Sequence, residues 1–293
     1  MIALPLALLA LAAGCGGGRG GGDDEAAATT SEGSGGGDLS GRIEADGSST
    51  VGPYTTAAAP CRGETDLSNA SRPIKDEEAT ACDDKGIEYV ELQVANDALT
   101  VVVNTENDWA TCLTTEQLAT IWGPDSKVGN WNQIDPAFPD QELELFGPGT
   151  DSGTFDYFTG EINGEEGASR SDYAASEDDN TIVTGVSGEK GGLGYFGFSY
   201  FEENQDALKA VEIDAGDGCV APSVATAQDG SYTPLSRPLF VYAKKEALAR
   251  PEVEAFVRYI LEHETEIAGA SQFVPLTDEQ LEKANADLEA ALG

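Results

Sequence analysis

Three short loops of the sequence carry the residue types that bind a small oxyanion. Each loop combines serine or threonine hydroxyls with small residues, and the first and third loops are placed to open a helix. A helix N-terminus presents free N–H groups and a partial positive charge, so it can hold an anion without net cationic charge. Glycine lets the backbone approach the anion closely. The three loops are 47–51 (GSSTV), 68–73 (SNASRP) and 147–154 (GPGTDSGT).

Two charged residues of these loops have candidate roles of their own. Arg72 carries a planar guanidinium fork that matches two oxygens of a tetrahedral anion. Near neutral pH phosphate keeps a proton that sulfate lacks, and a buried Asp151 carboxylate could accept it. Asp151 could equally be a helix N-cap or a partner of Arg72, and each loop taken singly is consistent with an ordinary N-cap. The three loops and the arginine together favour an anion site.

The elements predicted around these loops alternate between strand and helix. Runs rich in β-branched and aromatic residues predict strands, and apolar residues at helical spacing after a capping residue predict helices. Lone strands between helices indicate an α/β fold with parallel or mixed sheets. The predicted strands are 87–94, 99–103, 142–146, 193–201 and 239–243, and the predicted helices are 114–122, 176–186, one starting at Thr154 and one with Pro251 in its first turn.

The composition argues against several other functions. The chain has 53 acidic and 16 basic residues and a formal net charge of −37, which repels nucleic acid and anionic membrane surfaces. The single histidine, His263, makes a histidine metal cluster or histidine-assisted hydrolysis at Ser152 a poor fit. The GxGxxG stretch 192–197 merges into a strand instead of opening a helix, so it does not fit a dinucleotide site. We therefore expect a binding protein with no catalytic residues, metal or cofactor.

The N-terminal residues predict export. Residues 2–13 form an apolar run, shorter than the roughly 20 residues that a membrane-spanning helix requires, and small residues follow it before Cys15. This pattern resembles a bacterial lipoprotein signal, in which residues 1–14 are a signal peptide and Cys15 carries the lipid, palmitate included. Residues 15–41 are rich in glycine, serine, threonine and acids, which predicts a flexible tether. We expect an extracytoplasmic protein that meets the membrane only through its lipid anchor.

The four cysteines after Cys15 predict two disulfides, because an even number in an exported chain indicates a disulfide framework. Four cysteines allow three pairings. Short loop closure favours Cys61–Cys82, which leaves Cys112–Cys219. No pair has the CxxC spacing of a zinc site.

Four stretches together resemble the phosphate-binding lipoproteins of bacterial ABC importers, the PstS family. They are 46–51 (DGSSTV), 63–74 (GETDLSNASRPI), 147–158 (GPGTDSGTFDYF) and 235–240 (LSRPLF), and the resemblance covers nearly all of 42–276. It implies a two-lobed periplasmic-binding-protein fold of the second type, an α/β fold with mixed sheets and a hinge. The lobes of such a protein close on inorganic phosphate, and we expect a monomer that delivers it to an ABC permease.

Carried over by motif, the resemblance implies phosphate ligands from all three loops. It assigns 42–100 plus 237–293 to lobe one and 101–236 to lobe two, with hinges near 99–104 and 236–243. The implied ligands are Ser49, Thr50 and the Val51 amide, then Ser71 and Arg72, and finally Ser152, Gly153 and Thr154.

The chain departs from this family between Thr50 and Cys61. The family has a second strand there and a glycine-rich loop that also contacts phosphate, whereas here residues 57–60 (AAAP) run directly into Cys61. We therefore expect a deletion between Ala59 and Cys61 that removes a central strand of lobe one and one anion loop. The arginine that many family members carry before the third loop is also absent, which leaves Arg72 as the expected ligand cation.

Three alternatives stay open on the sequence alone. The protein could bind or sense another tetrahedral oxyanion, since the same donors suit any of them. It could be a phosphoester hydrolase that uses the same anion cradle, although the scarcity of histidine speaks against this. It could also be a deletion variant that has lost binding.

Overall fold

A computed structural model describes residues 41–46, 61 and 65–293 of the chain. The predictions for the signal peptide, for Cys15 and for most of the tether lie outside the described residues. The same holds for Ser49, Thr50 and Val51 of the first loop and for the segment that leads to Cys61. Within the described ranges, no helix is both long and apolar enough to cross a membrane.

Strands and helices alternate along the chain, as the prediction of an α/β fold requires. The strands are β1 (Ala45–Asp46), β2 (Leu67–Ala70), β3 (Tyr89–Asn104), β4 (Cys112–Thr114), β5 (Glu144–Pro148), β6 (Ala174–Ser176), β7 (Gly192–Gly197), β8 (Leu208–Ala210), β9 (Glu212–Asp214), β10 (Cys219–Val220) and β11 (Ser236–Lys244). The helices are α1 (Asp76–Asp83), α2 (Thr115–Trp122), α3 (Gly153–Asn163), α4 (Asp179–Gly188), α5 (Phe198–Glu203), α6 (Val224–Gln228), α7 (Lys245–Leu248), α8 (Pro251–Glu262), α9 (Glu264–Ala270) and α10 (Asp278–Leu292).

The larger sheet is mixed, with the strand order β1-β2-β11-β3-β7-β5-β6 and with β8 also paired to β3. β1 runs parallel to β2, and β5 runs parallel to both β6 and β7. β11 is antiparallel to β2 and to β3. A smaller sheet has the order β10-β9-β4. Parallel neighbours end at the same edge of a sheet, which is where α/β proteins bind ligands.

The 16-residue strand β3 passes through both halves of the fold. Its first half pairs with β11 and its second half pairs with β7, both antiparallel. Val90 and Leu92 pack in one hydrophobic core with helices α8 and α10, whereas Val101 and Val103 pack in another core with α2 and α3. Two cores that share one strand form the two-lobed architecture implied by the resemblance.

Three of the strand predictions were wrong in extent. The predicted strands 87–94 and 99–103 are one strand, because Asn96 exchanges backbone hydrogen bonds with Val274 and Asp97 pairs with Arg237. These partners are far away in sequence, so the polar interruption looked like a strand end. The predicted strand 193–201 stops at Gly197. There α5 begins, because Phe198 and Phe201 share one face of a helix and contact each other.

The two disulfides of the described chain are Cys61–Cys82 and Cys112–Cys219, the pairing that short loop closure favours. The second disulfide links β4 to β10, the two outer strands of the smaller sheet, with a Cα–Cα distance of 6.0 Å. It joins residues 107 positions apart in sequence, so it restricts a long loop of the unfolded chain.

Replacing Cys112 and Cys219 together with serine should lower the free energy of unfolding by about 2–5 kcal/mol, because the unfolded chain regains loop entropy. Urea denaturation without reductant measures the change. The matched double serine variant of Cys61 and Cys82, whose disulfide spans 21 positions, should lose less. Equal stability of the wild type and the first variant would contradict the prediction.

Candidate anion-binding site

The third loop leads from the carboxyl end of β5 into the N-terminus of α3. Ser152 is the N-cap: its backbone is extended, and its Oγ accepts a hydrogen bond from the Thr154 N–H at 3.2 Å. The Ser152 N–H donates to the carbonyl oxygen of Gly149, also at 3.2 Å. The loop therefore presents the first turn of an 11-residue helix, where backbone N–H groups have no acceptor within the helix.

The candidate residues of this loop differ in exposure. Ser152, Gly153 and Thr154 are half-buried, as ligands in a cleft between lobes would be. Asp151 is exposed, so its carboxylate does not have the buried position expected of an acceptor for the phosphate proton.

The turn before α4 packs on the third loop. The Tyr173 hydroxyl donates to the Pro148 carbonyl at 2.7 Å, and the Asp151 N–H donates to Glu177 Oε1 at 3.4 Å. Glu177 lies directly over Gly149, since a Cβ atom there would come within 1.9 Å of Glu177 Oε1. A larger residue at position 149 would therefore displace the Glu177 side chain from this position. The contact of Glu177 with the third loop is not predictable from the sequence, because a local pattern does not indicate which loop a distant acid contacts.

Ser68, Asn69 and Ala70 of the predicted second loop belong to β2, and the part of the loop that follows the strand contains Arg72. Its Nη1 and Nη2 atoms each donate to one oxygen of Glu78 at 2.8 Å, and Nη1 also donates to the Pro73 carbonyl at 2.9 Å. Glu78 is buried and also accepts a hydrogen bond from the Lys75 N–H at 2.9 Å. Both terminal nitrogens of the guanidinium fork thus donate to the Glu78 carboxylate, a contact that the sequence predicted for an anion.

The Arg72–Glu78 contact is also an electrostatic pair. Burial by itself would raise the pKa of the Glu78 carboxyl, but the hydrogen bonds from Arg72 and from the Lys75 N–H lower it below its ordinary value. The hydrogen bond to Glu78 raises the pKa of Arg72. Asp151 was one candidate partner of Arg72, and the structure shows Glu78 in that role. The spacing of Lys75 and Glu78, which matches a helix capping box, is the local signal that could have indicated it.

The electrostatic surroundings of Glu166 include groups from several parts of the chain. Burial and the charge of Asp156 raise the pKa of Glu166, while the charges of Arg237 and Lys75 oppose that rise. Glu166 lies over α3, because a Cβ atom at Gly160 would be 3.2 Å from its Cγ.

β1, the strand that precedes the first loop in sequence, lies beside β2. Ala45 and Asp46 of β1 pair in parallel with Leu67 and Ser68 of β2, so both strands end at the same edge of the sheet. The ligand atoms of Ser49, Thr50 and Val51 are outside the described residues.

One group of possible metal ligands occurs in the part of the chain that the structure describes. It comprises Cys112, Glu212 and Cys219. Both sulfur atoms of this group form the Cys112–Cys219 disulfide, so neither can bind a metal as a thiolate.

Comparisons with known proteins show the family of the chain. Residues 55–264 match the family model described as PBP superfamily domain. The protein SphX of Synechococcus elongatus is 44% identical over 262 aligned residues, which cover 80% of this chain and 77% of SphX. The phosphate-binding protein PstS of Staphylococcus saprophyticus is 35% identical over 284 aligned residues, which cover 88% of this chain and 87% of PstS.

Solved structures have the same fold. The crystal structure of a possible phosphate binding protein from Planctomyces limnophilus matches with a TM-score of 0.81 and 43% identity, covering 87% of this chain and all of that one. An ABC-type phosphate transport receptor from Vibrio cholerae, with a TM-score of 0.59 over 78% of this chain and 86% of its own, is 20% identical and shares the fold alone. The fold and the loops thus define a two-lobed solute-binding protein. The chain belongs to the PBP superfamily, in the family that includes SphX and the phosphate-binding protein PstS.

The variant Glu78→Gln should be less stable than the wild type at neutral pH and equally stable in acid. A carboxyl whose pKa is lowered by folding contributes stability above its unfolded pKa of about 4.3, and that contribution is lost as the pH falls through the folded pKa. The gap in melting temperature should therefore close on acidification. Glu106→Gln, at an exposed acid, is the control, and a gap that persists in acid would contradict the prediction.

The variant Asp179→Asn should be more stable than the wild type above the pKa of Asp179. Burial raises that pKa to about 6, and the charges of Asp178 and Glu177 add to the rise. A carboxyl with a raised pKa costs stability as the pH rises from its unfolded pKa of about 3.9 through the folded value. We therefore expect a higher melting temperature for the variant at about pH 8 and no difference at about pH 3. Glu203→Gln should show neither effect, and a pH-independent gain would refute the assignment.

Proposed function

We propose that this chain is an extracytoplasmic solute-binding protein that captures inorganic phosphate for import by an ABC permease. The observation that carries the proposal is the capped helix N-terminus at Ser152 together with the Arg72 fork, which Glu78 holds. Both occur in a chain that is 35% identical to a phosphate-binding protein PstS. The donors bind and release the anion, and no covalent step takes part.

The proposed ligand set takes hydroxyls, amides and one guanidinium from the three loops. A dianion fits these groups because helix N–H groups and the arginine all donate hydrogen bonds. Closure of the lobes would bury Asp151, which is exposed here, and allow its carboxylate to accept the proton of phosphate. The proposed ligands are Ser49, Thr50, Val51, Ser71, Arg72, Ser152, Gly153 and Thr154.

In this proposal, the two lobes close by bending of the strands that cross between the two cores. We assign residues 42–100 and 237–293 to lobe one and 101–236 to lobe two. β3 and β11 then bend near 99–104 and 236–243, and the anion is enclosed when loops of both lobes contact it. Enclosure removes water, which strengthens each hydrogen bond to the ligand.

The position of the protein in the cell follows from its N-terminus. We propose that Cys15 is lipidated, that residues 16–41 tether the folded part to the outer face of the membrane, and that the protein acts as a monomer. The strongly negative exterior is not needed for membrane attachment, because the lipid anchor alone holds the protein at the membrane.

The alignments to relatives contain positions that this chain does not fill, as a deletion requires. The alignment to SphX is 262 positions long, but it covers only 80% of this 293-residue chain, which is fewer residues than 262. SphX therefore has residues within the alignment that lack a counterpart here. The match to PstS shows the same excess, with 284 aligned residues over 88% of the chain. With one anion loop fewer, affinity depends more strongly on Arg72 and on the start of α3.

Phosphate should raise the melting temperature of the wild type, and Arg72→Ala should abolish that rise. A ligand at 100 times its dissociation constant stabilises the folded state by about 2.7 kcal/mol. Thermal melts with and without phosphate measure this. Arg258→Ala is the matched control, because Arg258 pairs with Glu254 and Glu289 on the exterior of helices α8 and α10. An unchanged wild-type melting curve in saturating phosphate would sink the proposal for this chain.

Competition by sulfate distinguishes phosphate from other tetrahedral oxyanions. Sulfate has the same shape but cannot donate a proton to a carboxylate, so excess sulfate should leave the phosphate-dependent shift intact. A shift that sulfate reproduces would identify a general oxyanion-binding protein.

A further inference from the structure

Arg237 joins the two strands that cross between the cores. It is the second residue of β11 and lies opposite Asp97 of β3 in the strand register. Its Nε donates to Asp97 Oδ2 at 3.0 Å, and the two side chains are only 17% and 13% exposed. A partly buried pair of this kind holds both side chains in one geometry and is screened by salt less than a surface pair.

The same guanidinium packs on helix α3. Its central carbon lies 3.8 Å from the centroid of the Tyr157 ring, a cation–π contact. The Tyr157 hydroxyl donates to the Pro234 carbonyl at 2.6 Å, just before β11 begins. Tyr157 is buried, and burial raises the pKa of its hydroxyl, so the ring stays neutral. Tyr157 therefore attaches helix α3 to the start of β11 through two contacts. The face of its ring packs on Arg237, and its hydroxyl donates to Pro234.

Tyr157 belongs to the part of α3 that carries the third loop. Helical side chains lean towards the helix N-terminus, so the Tyr157 ring covers the turn that follows Ser152. Glu161, four residues later, lies on the same face. Burial raises the pKa of Glu161 and the charge of Arg237 opposes that rise, which is consistent with a guanidinium that faces this stripe of the helix.

We propose that Arg237 is a positioning residue for anion binding. Its hydrogen bond to Asp97 and its stack on Tyr157 fix the start of α3 relative to the crossing strands, so bending of these strands carries the third loop with it. The inference rests on the proposed function of the third loop. A lysine cannot replace Arg237 fully, because only the planar guanidinium can donate to Asp97 through Nε while its face covers the ring.

Hydrogen exchange of the ligand-free protein tests the attachment directly. In Arg237→Met, the amides of 152–160 should exchange about tenfold faster than in the wild type, with 251–262 in the other core unchanged. The exchange rate of 152–160 in Arg237→Lys should lie between the rates in the wild type and in Arg237→Met. Arg258→Met, which removes an arginine with ion pairs elsewhere, should leave the exchange rate of 152–160 at the wild-type value. Equal exchange of 152–160 in the wild type and Arg237→Met would overturn the inference.

Phosphate titration of the same variants tests the consequence for binding. Arg237→Met should bind phosphate about tenfold more weakly, a loss of about 1.4 kcal/mol. Asp97→Asn should weaken binding in the same direction, and the double variant should lose less than the two single losses combined, since both act through one contact. Wild-type affinity in Arg237→Met would overturn the inference and leave the proposed function intact. Failure of the wild type to bind would remove the proposed function, while the exchange measurement still decides the attachment of α3.

Discussion

Charge is the constraint on which the site depends. A chain with a formal net charge of −37 repels anions at long range, so an anion can be held only by donors within a few ångströms of it. Salt screens exposed charges beyond roughly 8 Å, which leaves the start of α3 and the Arg72 fork to act locally. Glu78 offsets part of the charge of Arg72, but its two 2.8 Å hydrogen bonds fix the direction of the fork. Orientation of a few donors thus takes the place of a basic surface.

The fold meets this constraint by joining two cores through shared strands. β3 contributes Val90 to one core and Val101 to the other, so one continuous strand joins the two cores. The loop with Arg72 follows β2 on one side, and the loop with Ser152 follows β5 on the other. Arg237 stands at the junction, where it contacts both a crossing strand and α3. A change of angle between the lobes therefore reaches the donors through rigid elements.

Local patterns in the sequence were sufficient for most of the elements and for the capped start of helix α3. The Ser152 cap and the helix after it follow from a short run of small and hydroxyl residues, and the helix predictions at 114–122 and Pro251 are confirmed. The features that were missed depend on partners far along the chain. Asp97 remains within a strand because of Arg237, 140 residues later. The contact of Glu177 with the third loop depends on the packing of β6 beside β5, which no local pattern encodes.

The central claim is that one small anion is enclosed by donors from these loops. Equilibrium dialysis of the full chain against labelled phosphate measures it directly. The account predicts one phosphate retained per chain, displaced by unlabelled phosphate and not by excess sulfate, with retention lost in Arg72→Ala. Retention of no phosphate by the wild type, or equal retention by Arg72→Ala, would contradict it.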